Sequence, residues 1–329
     1  MEEISLQPVI PPVDRDLIAS ELTEARFVRN TNYGNRQIFV VTQQDSPHTM
    51  REIGRLREIS FRDGGGGTGM EVDLDEYDTS RVPFKQLIVW DPDDEEIIGG
   101  YRFIHCKDIG TDLNGRFKSP TASLFHFSER FVREFMPQTI ELGRSFVQPK
   151  YQATYNVRKG MFSLDNLWDG LGAIVIDNPS VRYFFGKMTM YSQYNLMARD
   201  VLLFFLHRYF PDPDKLVVPF EPVPIMTNPD ELSALFTGKN YEENYRILNH
   251  TIRLYKENIP PLFNAYMNLS PTMRFFGAAI NKHFGDVEES GILITINDVY
   301  EKKKTRHLAS YIKKINLRGL SLRVRRNHK

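Results

Sequence analysis

The chain has 329 residues and a formal net charge of zero, and 41% of its residues are hydrophobic. This apolar fraction is enough for the core of one large or two modest domains, so the composition excludes a disordered chain. The single cysteine, Cys106, excludes an intramolecular disulfide framework and a cysteine-based zinc site, and it is typical of a reducing compartment.

The N-terminal half predicts two helices and three strands. Its first residues, MEEISLQPVIPP, lack the basic and apolar regions of a secretory signal, so we expect a cytoplasmic protein. The pattern predicts a helix over 14–30, a strand over 36–44, a helix over 46–63 and a hairpin over 85–91 and 96–106. GGGGTG at 64–69 predicts a mobile lid or a plain linker, since it lacks the Gly-Lys-Ser/Thr of a P-loop.

The C-terminal half alternates strands with helices. The pattern predicts a strand over 139–147, a helix over 163–178 with Ser163 as N-cap, a strand over 181–190, a helix over 195–210, a helical stretch over 225–284 and a strand over 290–300. This order predicts a mixed sheet in an α/β or α+β fold. His207 and Arg208 interrupt the longest apolar run, so no membrane-spanning helix is expected.

A basic tail closes the chain. Eleven bases and no acid follow Glu301, which leaves 31 bases against 42 acids in the preceding part. Leucines and isoleucines interleave these bases, so the tail predicts contact with an anionic membrane surface or an acidic protein. Nucleic acid fits less well, because aromatic residues are few here and no reading motif is present.

A set of motifs in fixed order resembles the GNAT superfamily of N-acyltransferases. They include IIGGYRF at 97–103, ELGRS at 141–145, LWDGLGA at 167–173 and VRYFFG at 181–186. The likeness covers roughly residues 45 to 300 and points to the branch that takes long acyl chains from acyl carrier protein. That branch contains the homoserine-lactone synthases and the acyltransferases of ornithine-lipid and glycine-lipid synthesis, some of which carry a hemolysin-like label.

The resemblance implies a GNAT-like acyltransferase fold of α/β (α+β mixed sheet) class. Its expected divisions are an N-terminal helix and strand over 1–44, an acyltransferase core over 45–210, a helical insertion with a returning strand over 211–300, and the basic tail over 301–329.

The resemblance also implies an activity, the transfer of a 3-hydroxylated fatty acyl chain to the α-amine of a small amino acid. Glycine is favoured over ornithine, and the reaction would begin aminolipid synthesis in the cytoplasm or at the inner membrane face. The acyl-phosphopantetheine of acyl carrier protein, or acyl-CoA, would be a substrate, with no bound cofactor and no metal. The alternatives are an autoinducer-type synthase that acts on another amine and a non-catalytic membrane-surface protein.

The sequence departs from the family pattern in two places. The usual phosphate loop, Gln/Arg-x-x-Gly-x-Gly/Ala, is absent between Gln152 and Ser163, although a carrier-protein arm would need less of it than coenzyme A. Lys85 and Gln86 stand where relatives often carry Asp-His.

Glu141 and Arg144 are the candidate catalytic residues. Amide formation from a thioester needs a base for the amine, and Glu141 fits that role. Arg144 would orient Glu141 or bind the substrate carboxylate, unless the two residues simply pair. Residues three apart on a regular strand face opposite sides, so both reach one cleft only if the strand has a bulge near Gly143. Such a bulge would free backbone N–H groups near Ser145, Phe146 and Val147 for the thioester oxyanion.

Three further residues are candidates for substrate binding. Relatives place a functional arginine at the position of Arg102, although an arginine on a solvated strand would look the same. Asp73 and Asp75, two apart in VDLDEYD, would receive the amine. The alternatives for this pair are surface acids or Mg²⁺ ligands.

The acyl donor is expected to meet the segment 155–166. Arg158, Lys159, Gly160 and the helix N-terminus at Ser163 offer positive charge and unpaired N–H groups for one phosphate, unless this is an ordinary basic loop. Trp168 would wall the acyl tunnel as well as the core.

Cys106 and the segment HRYFPD are interpreted as structural features. Cys106 is expected to be a buried strand residue rather than a nucleophile. HRYFPD at 207–212 has the His-x4-Asp spacing of glycerolipid O-acyltransferases, but it lacks their second motif and is interpreted as a helix end.

Overall fold

A mixed sheet of eight strands runs through the computed structural model, which describes residues 6–111 and 117–312. The strands of the described chain are β1 (Phe27–Asn30), β2 (Gln37–Val41), β3 (Lys85–Asp91), β4 (Glu96–His105), β5 (Phe125–Phe127), β6 (Thr139–Val147), β7 (Tyr183–Met190), β8 (Val217–Pro219), β9 (Arg274–Asn281) and β10 (Val287–Thr295). The order in the large sheet is β1-β2-β3-β4-β6-β7-β10-β9, and β5 pairs with β8. β6 and β7 are parallel, whereas the other neighbours are antiparallel. The predicted mixed sheet is confirmed.

Helices cover both faces of this sheet. They are α1 (Arg15–Glu21), α2 (Pro47–Asp63), α3 (Glu76–Thr79), α4 (Val157–Gly160), α5 (Ser163–Asp177), α6 (Leu196–Tyr209), α7 (Pro229–Leu235), α8 (Tyr241–Leu254), α9 (Pro261–Met267) and α10 (Glu301–Lys304). We name the two sides of the sheet the α2 face and the α5 face, after the helix that packs on each. Within the described ranges, no helix has the length and apolar character needed to cross a membrane.

The sequence of α2 explains both its start and its packing. Pro47 occupies the first turn, where a missing N–H costs no helical hydrogen bond. Met50, Ile53 and Leu56 recur at helical spacing and are buried against the sheet. The helix predicted over 46–63 is confirmed.

β6 and β7 separate after a short parallel stretch. Their pairing ends where Leu142 lies opposite Gly186. Beyond this point β6 continues along β4 and β7 continues along β10. A gap therefore opens in the middle of the sheet, between Gly143 on β6 and Lys187 on β7.

A bulge in β6 lies beside this gap. Between two regular pairs with β4, the residues Arg144 and Ser145 stand opposite the single residue Tyr101. Arg144 adopts a left-handed backbone with φ of 46°. The bulge predicted near Gly143 is therefore present, one residue further along the strand.

Several predicted elements need correction. The N-terminal helix ends at Glu21, and the end of the stretch predicted as helical forms β1. Likewise, β9 lies within the stretch over 225–284 that was predicted to be helical, so two strands return to the sheet from the last third of the chain. Helix α5 begins at Ser163 and has Phe162, not Ser163, as its N-cap.

The last described segment, residues 301–312, packs against α5. His307 is buried, and its Nδ1 atom lies 2.7 Å from Asp169. Arg306 forms an ion pair with Asp165. The chain comes so close to the helix that a Cβ added to Gly172 would lie 2.8 Å from the carbonyl oxygen of His307. Residues 313–329, which hold the rest of the predicted basic tail, lie outside the described residues.

Candidate active site

A cavity of about 680 Å³ occupies the gap between β6 and β7. Its wall includes residues from both faces of the sheet, so it passes through the sheet from one face to the other. We name its part on the α2 face the charged chamber, defined by Arg102, Glu141, Arg144, Lys187 and Glu289. We name its part on the α5 face the apolar chamber, defined by Leu164, Met190, Tyr194, Pro261 and Leu262.

Glu141 projects from β6 into the charged chamber. Its side chain is buried, and its carboxylate accepts hydrogen bonds from the hydroxyl groups of Ser119 (2.6 Å) and Thr121 (2.6 Å). The Thr121 backbone N–H in turn donates to the Ser119 hydroxyl, at 3.1 Å. Two neutral donors therefore hold the carboxylate in one orientation.

Arg144 takes other partners than Glu141. Among the described residues, its ion pairs are with Asp73, 2.8 Å away, and more distantly with Asp75. Its guanidinium also lies 4.2 Å from the centre of the Phe284 ring. The alternative in which Glu141 and Arg144 simply pair is thus not the arrangement found.

Arg102 enters the charged chamber from β4 and is 2% exposed. Its Nη1 atom binds Asp75 (2.7 Å) and Asp78 (3.2 Å). Burial opposes the charge, but Asp78 and Asp75 outweigh it, and they hold the pKa of Arg102 above its usual range. The alternative of a solvated surface arginine is wrong.

A buried network stands behind Arg102. Asp78 accepts from Arg57 at 3.0 Å and from the Gln86 amide at 2.8 Å, and Gln86 also binds Arg57. Burial raises the pKa of Asp78, but Arg57 and Arg102 have the larger combined effect and hold it well below its ordinary value. Gln86, which with Lys85 stands where relatives often carry Asp-His, therefore helps to position Arg102.

Asp73 and Asp75 lie behind the two arginines of the chamber. Asp73 binds Arg144, whereas Asp75 binds Arg102 and caps α3. Neither acid lies on the cavity wall. Their ion pairs do not suit a Mg²⁺ site, and direct contact of either acid with an amine stays a prediction.

Lys187 and Glu289 complete the charged chamber from the opposite wall. The Lys187 ammonium lies 2.8 Å from Glu289, and the Asn281 amide donates to the same carboxylate at 2.8 Å. Burial disfavours the charge of Glu289, but Lys187, Asn281 and Arg144 together outweigh it, and the pKa of Glu289 is lowered. Sequence reasoning missed this pair, because its members lie about a hundred residues apart and Lys187 lies just outside the motif VRYFFG at 181–186.

The residues predicted to bind the acyl donor divide into two groups. Ser145, Phe146, Val147, Gly160 and Ser163 line the cavity. The N-terminus of α5 meets the cavity at Ser163 and Leu164, and no side chain of the described residues caps it. Its first N–H groups therefore remain for a ligand.

Three of the predicted donor residues lie elsewhere. Arg158 is exposed, and Lys159 pairs with Asp94. Trp168 packs edge-on against Tyr266 and lines a separate, smaller cavity of about 30 Å³. None of the three lies on the wall of the large cavity, because α4 and α5 turn these side chains away from it.

The other singled-out segments have structural positions. The glycine-rich loop folds around the buried Glu58 carboxylate, which accepts from Thr68 and Gly69, and it does not line the cavity. Cys106 is buried as expected, but it begins a 3-10 helix directly after β4 and does not lie on the strand. In the HRYFPD segment, His207 packs on Phe275 and Asp212 pairs with Arg274, which fits the interpretation as a helix end.

The parted parallel strands, the bulge and the buried Glu141 all lie on or beside β6, at the wall of one cavity. Residues 56–159 match a family model described as "Acetyltransferase (GNAT) domain". This stretch contains the C-terminal part of α2, the β3–β4 hairpin and the whole of β6.

Two curated proteins are similar over nearly the whole chain. One, from Bacteroides thetaiotaomicron, is named glycine N(α)-acyltransferase and is 53% identical over 307 residues, which are 93% of this chain and 91% of that protein. The other has the same name, comes from Phocaeicola vulgatus and is 51% identical over 308 residues, 94% of each chain. The chain therefore belongs to this family of GNAT N-acyltransferases. Among solved structures, the AHL synthase LasI is similar at a TM-score of 0.40 with 9% identity, over 84% of this chain and 96% of its own.

Proposed function

We propose that the protein transfers a fatty acyl chain from a thioester donor to the α-amine of glycine. The observation that carries this proposal is the cavity through the sheet, which joins the charged chamber around Glu141 to the apolar chamber beside α5. A zwitterionic amino acid suits the first chamber, and an acyl thioester suits the second. The names of both curated relatives favour glycine over ornithine as the acceptor.

In the proposed reaction, Glu141 takes a proton from the ammonium group of the amino acid. The free amine attacks the thioester carbonyl carbon, so a C–N bond forms and the C–S bond breaks. The nitrogen loses a second proton, which the departing sulfur takes up as a thiol. Backbone N–H groups at the bulge, around Ser145, Phe146 and Val147, would stabilise the negative charge that develops on the carbonyl oxygen.

Acyl carrier protein is the donor that we favour, with acyl-CoA as the alternative. The uncapped N-terminus of α5 offers N–H groups to one phosphate, as a phosphopantetheine arm requires. The absence of the usual phosphate loop from the sequence suits a donor without the further phosphates of coenzyme A. We expect a 3-hydroxylated acyl chain and an aminolipid precursor as product, formed near an anionic membrane surface that the basic tail contacts.

A reconstituted assay tests this function. The purified protein is given acyl carrier protein or coenzyme A charged with the same 3-hydroxyacyl chain, together with glycine or ornithine, and the products are identified by mass spectrometry. We expect N-acylglycine from the carrier-protein donor, and its loss in Glu141→Ala. A folded protein that makes no N-acyl amino acid from either donor would overturn the proposal.

The same assay separates the alternatives. An autoinducer-type synthase would leave glycine unreacted and would acylate another amine added to the mixture, which the product mass identifies. Membership of an acyltransferase family speaks against the non-catalytic membrane-surface protein.

A further inference from the structure

We propose that the α-carboxylate of the acceptor binds above Gly143, between Arg102 and Lys187, and that Lys187 selects amino acids over simple amines. This inference deepens the proposed function and rests on it. Neither Lys187 nor its partner Glu289 has a part in the reaction steps described above.

Strand pairing places Arg102 and Lys187 on either side of Gly143. On β4, Arg102 stands directly opposite Gly143. On β7, Lys187 follows Gly186, the last residue that pairs with β6. Directly paired residues point to the same face of a sheet, so Arg102 and Gly143 share a face. Lys187 is not paired with β6, but Lys187 and Gly143 each follow the Leu142–Gly186 pair by one residue, and both line the cavity.

Gly143 keeps this space open. A Cβ added there would lie 3.4 Å from the Nε atom of Arg102. Among the described residues, this Nε atom has no hydrogen-bond partner, although Arg102 is buried. A buried N–H group without a partner is costly, and a carboxylate in the space above Gly143 would satisfy it.

Lys187 supplies a second positive group at the same place. Its side chain is 12% exposed and that of Glu289 is 5% exposed, so the pair stands in the wall with little solvent around it. An ammonium group has three N–H donors, and the ion pair with Glu289 uses one. Asn281 holds the Glu289 carboxylate on the side of β9, which fixes the position of the pair.

The position of Glu141 agrees with an α-amino acid in this chamber. Glu141 lies two residues before Gly143 on the same face of β6, about 7 Å away along the strand. In an α-amino acid, one carbon separates the amine from the carboxylate. The amine can therefore face Glu141 while the carboxylate lies between Arg102 and Lys187.

The test compares glycine with glycinamide, which has the same amine but no carboxylate. We measure kcat/KM for both acceptors in the wild type, Lys187→Met and Lys187→Arg. In Lys187→Met we expect kcat/KM for glycine to fall about 10²-fold while that for glycinamide stays nearly constant. Lys187→Arg should restore part of the preference. The compared quantity is the ratio of kcat/KM for glycine to kcat/KM for glycinamide. Comparing this ratio between variants cancels the different basicities of the two amines.

A matched control and a second variant complete the design. Lys282→Met removes an exposed lysine and should leave kcat/KM for glycine and for glycinamide unchanged. Gly143→Ala keeps the Lys187–Glu289 pair but fills the space above β6, so it should raise KM for glycine more than tenfold and have less effect on glycinamide. If Lys187→Met does not fold, Gly143→Ala alone tests the carboxylate site.

The outcomes distinguish this inference from the proposed function. If the wild type acylates neither acceptor from any donor, the proposed function fails. If the wild type acylates glycine but folded Lys187→Met and Gly143→Ala keep its preference over glycinamide, the carboxylate site is overturned and the proposed function stands.

Discussion

Glu141 and Arg144 lie three residues apart on β6 and line the same cavity, yet each is held by a different part of the chain. Glu141 accepts from Ser119 and Thr121, whereas Arg144 binds Asp73. The bulge inserts Arg144 as an extra residue in β6, and Arg144 adopts a left-handed backbone with φ of 46°. This extra residue turns both side chains toward the same side of the sheet.

The bulge predicts different outcomes for two substitutions of Arg144. Arg144→Gly and Arg144→Ala both remove the guanidinium and should lower kcat/KM by the same factor. The free energy of unfolding of Arg144→Gly should be about 1 kcal/mol higher than that of Arg144→Ala, because glycine adopts positive φ without a steric penalty. Denaturant unfolding of the two proteins measures this difference. Equal stability, or an active alanine variant, would contradict the prediction.

The proposed base predicts the effect of Glu141→Gln. The amide has nearly the same shape and can keep a hydrogen bond to Ser119 or Thr121, but it cannot take a proton from the amine. We expect kcat to fall about 10²- to 10⁴-fold, with little change in Tm. Product formation by mass spectrometry and thermal unfolding provide the two readouts. Glu134→Gln, at a side chain that is 46% exposed, serves as the control and should keep full activity.

The buried network behind Arg102 predicts a large loss of stability in Asp78→Asn. This change leaves Arg57 and Arg102 in the interior without their shared carboxylate, so the free energy of unfolding should fall by about 3–5 kcal/mol. Arg130→Ala, at an exposed ion pair, should have a much smaller effect. Urea unfolding of both variants measures the contrast, and similar losses in both would refute the prediction.

The lowered pKa of Asp78 also sets the direction of a pH effect. A carboxylate with a lowered pKa in the folded state stabilises the fold above the ordinary carboxyl pKa of about 3.9, and this contribution is lost as pH falls toward its folded value. The stability of the wild type should therefore decline more steeply in acid than that of Asp78→Asn. Parallel acid profiles would contradict this assignment.

Cys106 predicts slow thiol labelling in the native protein. It is the single cysteine of the chain and is buried, and burial, followed by the nearby Glu141, raises its pKa well above the usual range. Reaction with iodoacetamide should be much faster in denaturant, as followed by mass spectrometry. Cys106→Ala should remain active, since the proposed reaction uses no cysteine nucleophile. Rapid native labelling with loss of activity would argue for a different mechanism.

Local patterns predicted much of the sheet and several residues of the site. The β3–β4 hairpin, β6, β7, α2 and α6 follow from hydrophobic periodicity and turn residues. Arg102, Glu141 and Arg144 were found through the family motifs, and the bulge through the spacing of Glu141 and Arg144.

The remaining features depend on contacts between distant parts of the chain. The short apolar run of β9 has no strand signal that distinguishes it from a buried helix, and only its pairing with β10 makes it a strand. Ser119 and Thr121 meet Glu141 across a fold that no local pattern encodes. The same holds for the pair Lys187 and Glu289.

The packing of residues 301–312 on α5 has a consequence for preparing shortened proteins. His307 binds Asp169 in the middle of α5, and Tyr311 reaches Asp177 at the C-terminal end of this helix, at 3.1 Å. A chain cut after residue 300 would leave two helix carboxylates without these partners and would uncover Gly172. For crystallisation, a shortened chain should therefore retain the residues through 312, and a purification tag belongs at the opposite terminus.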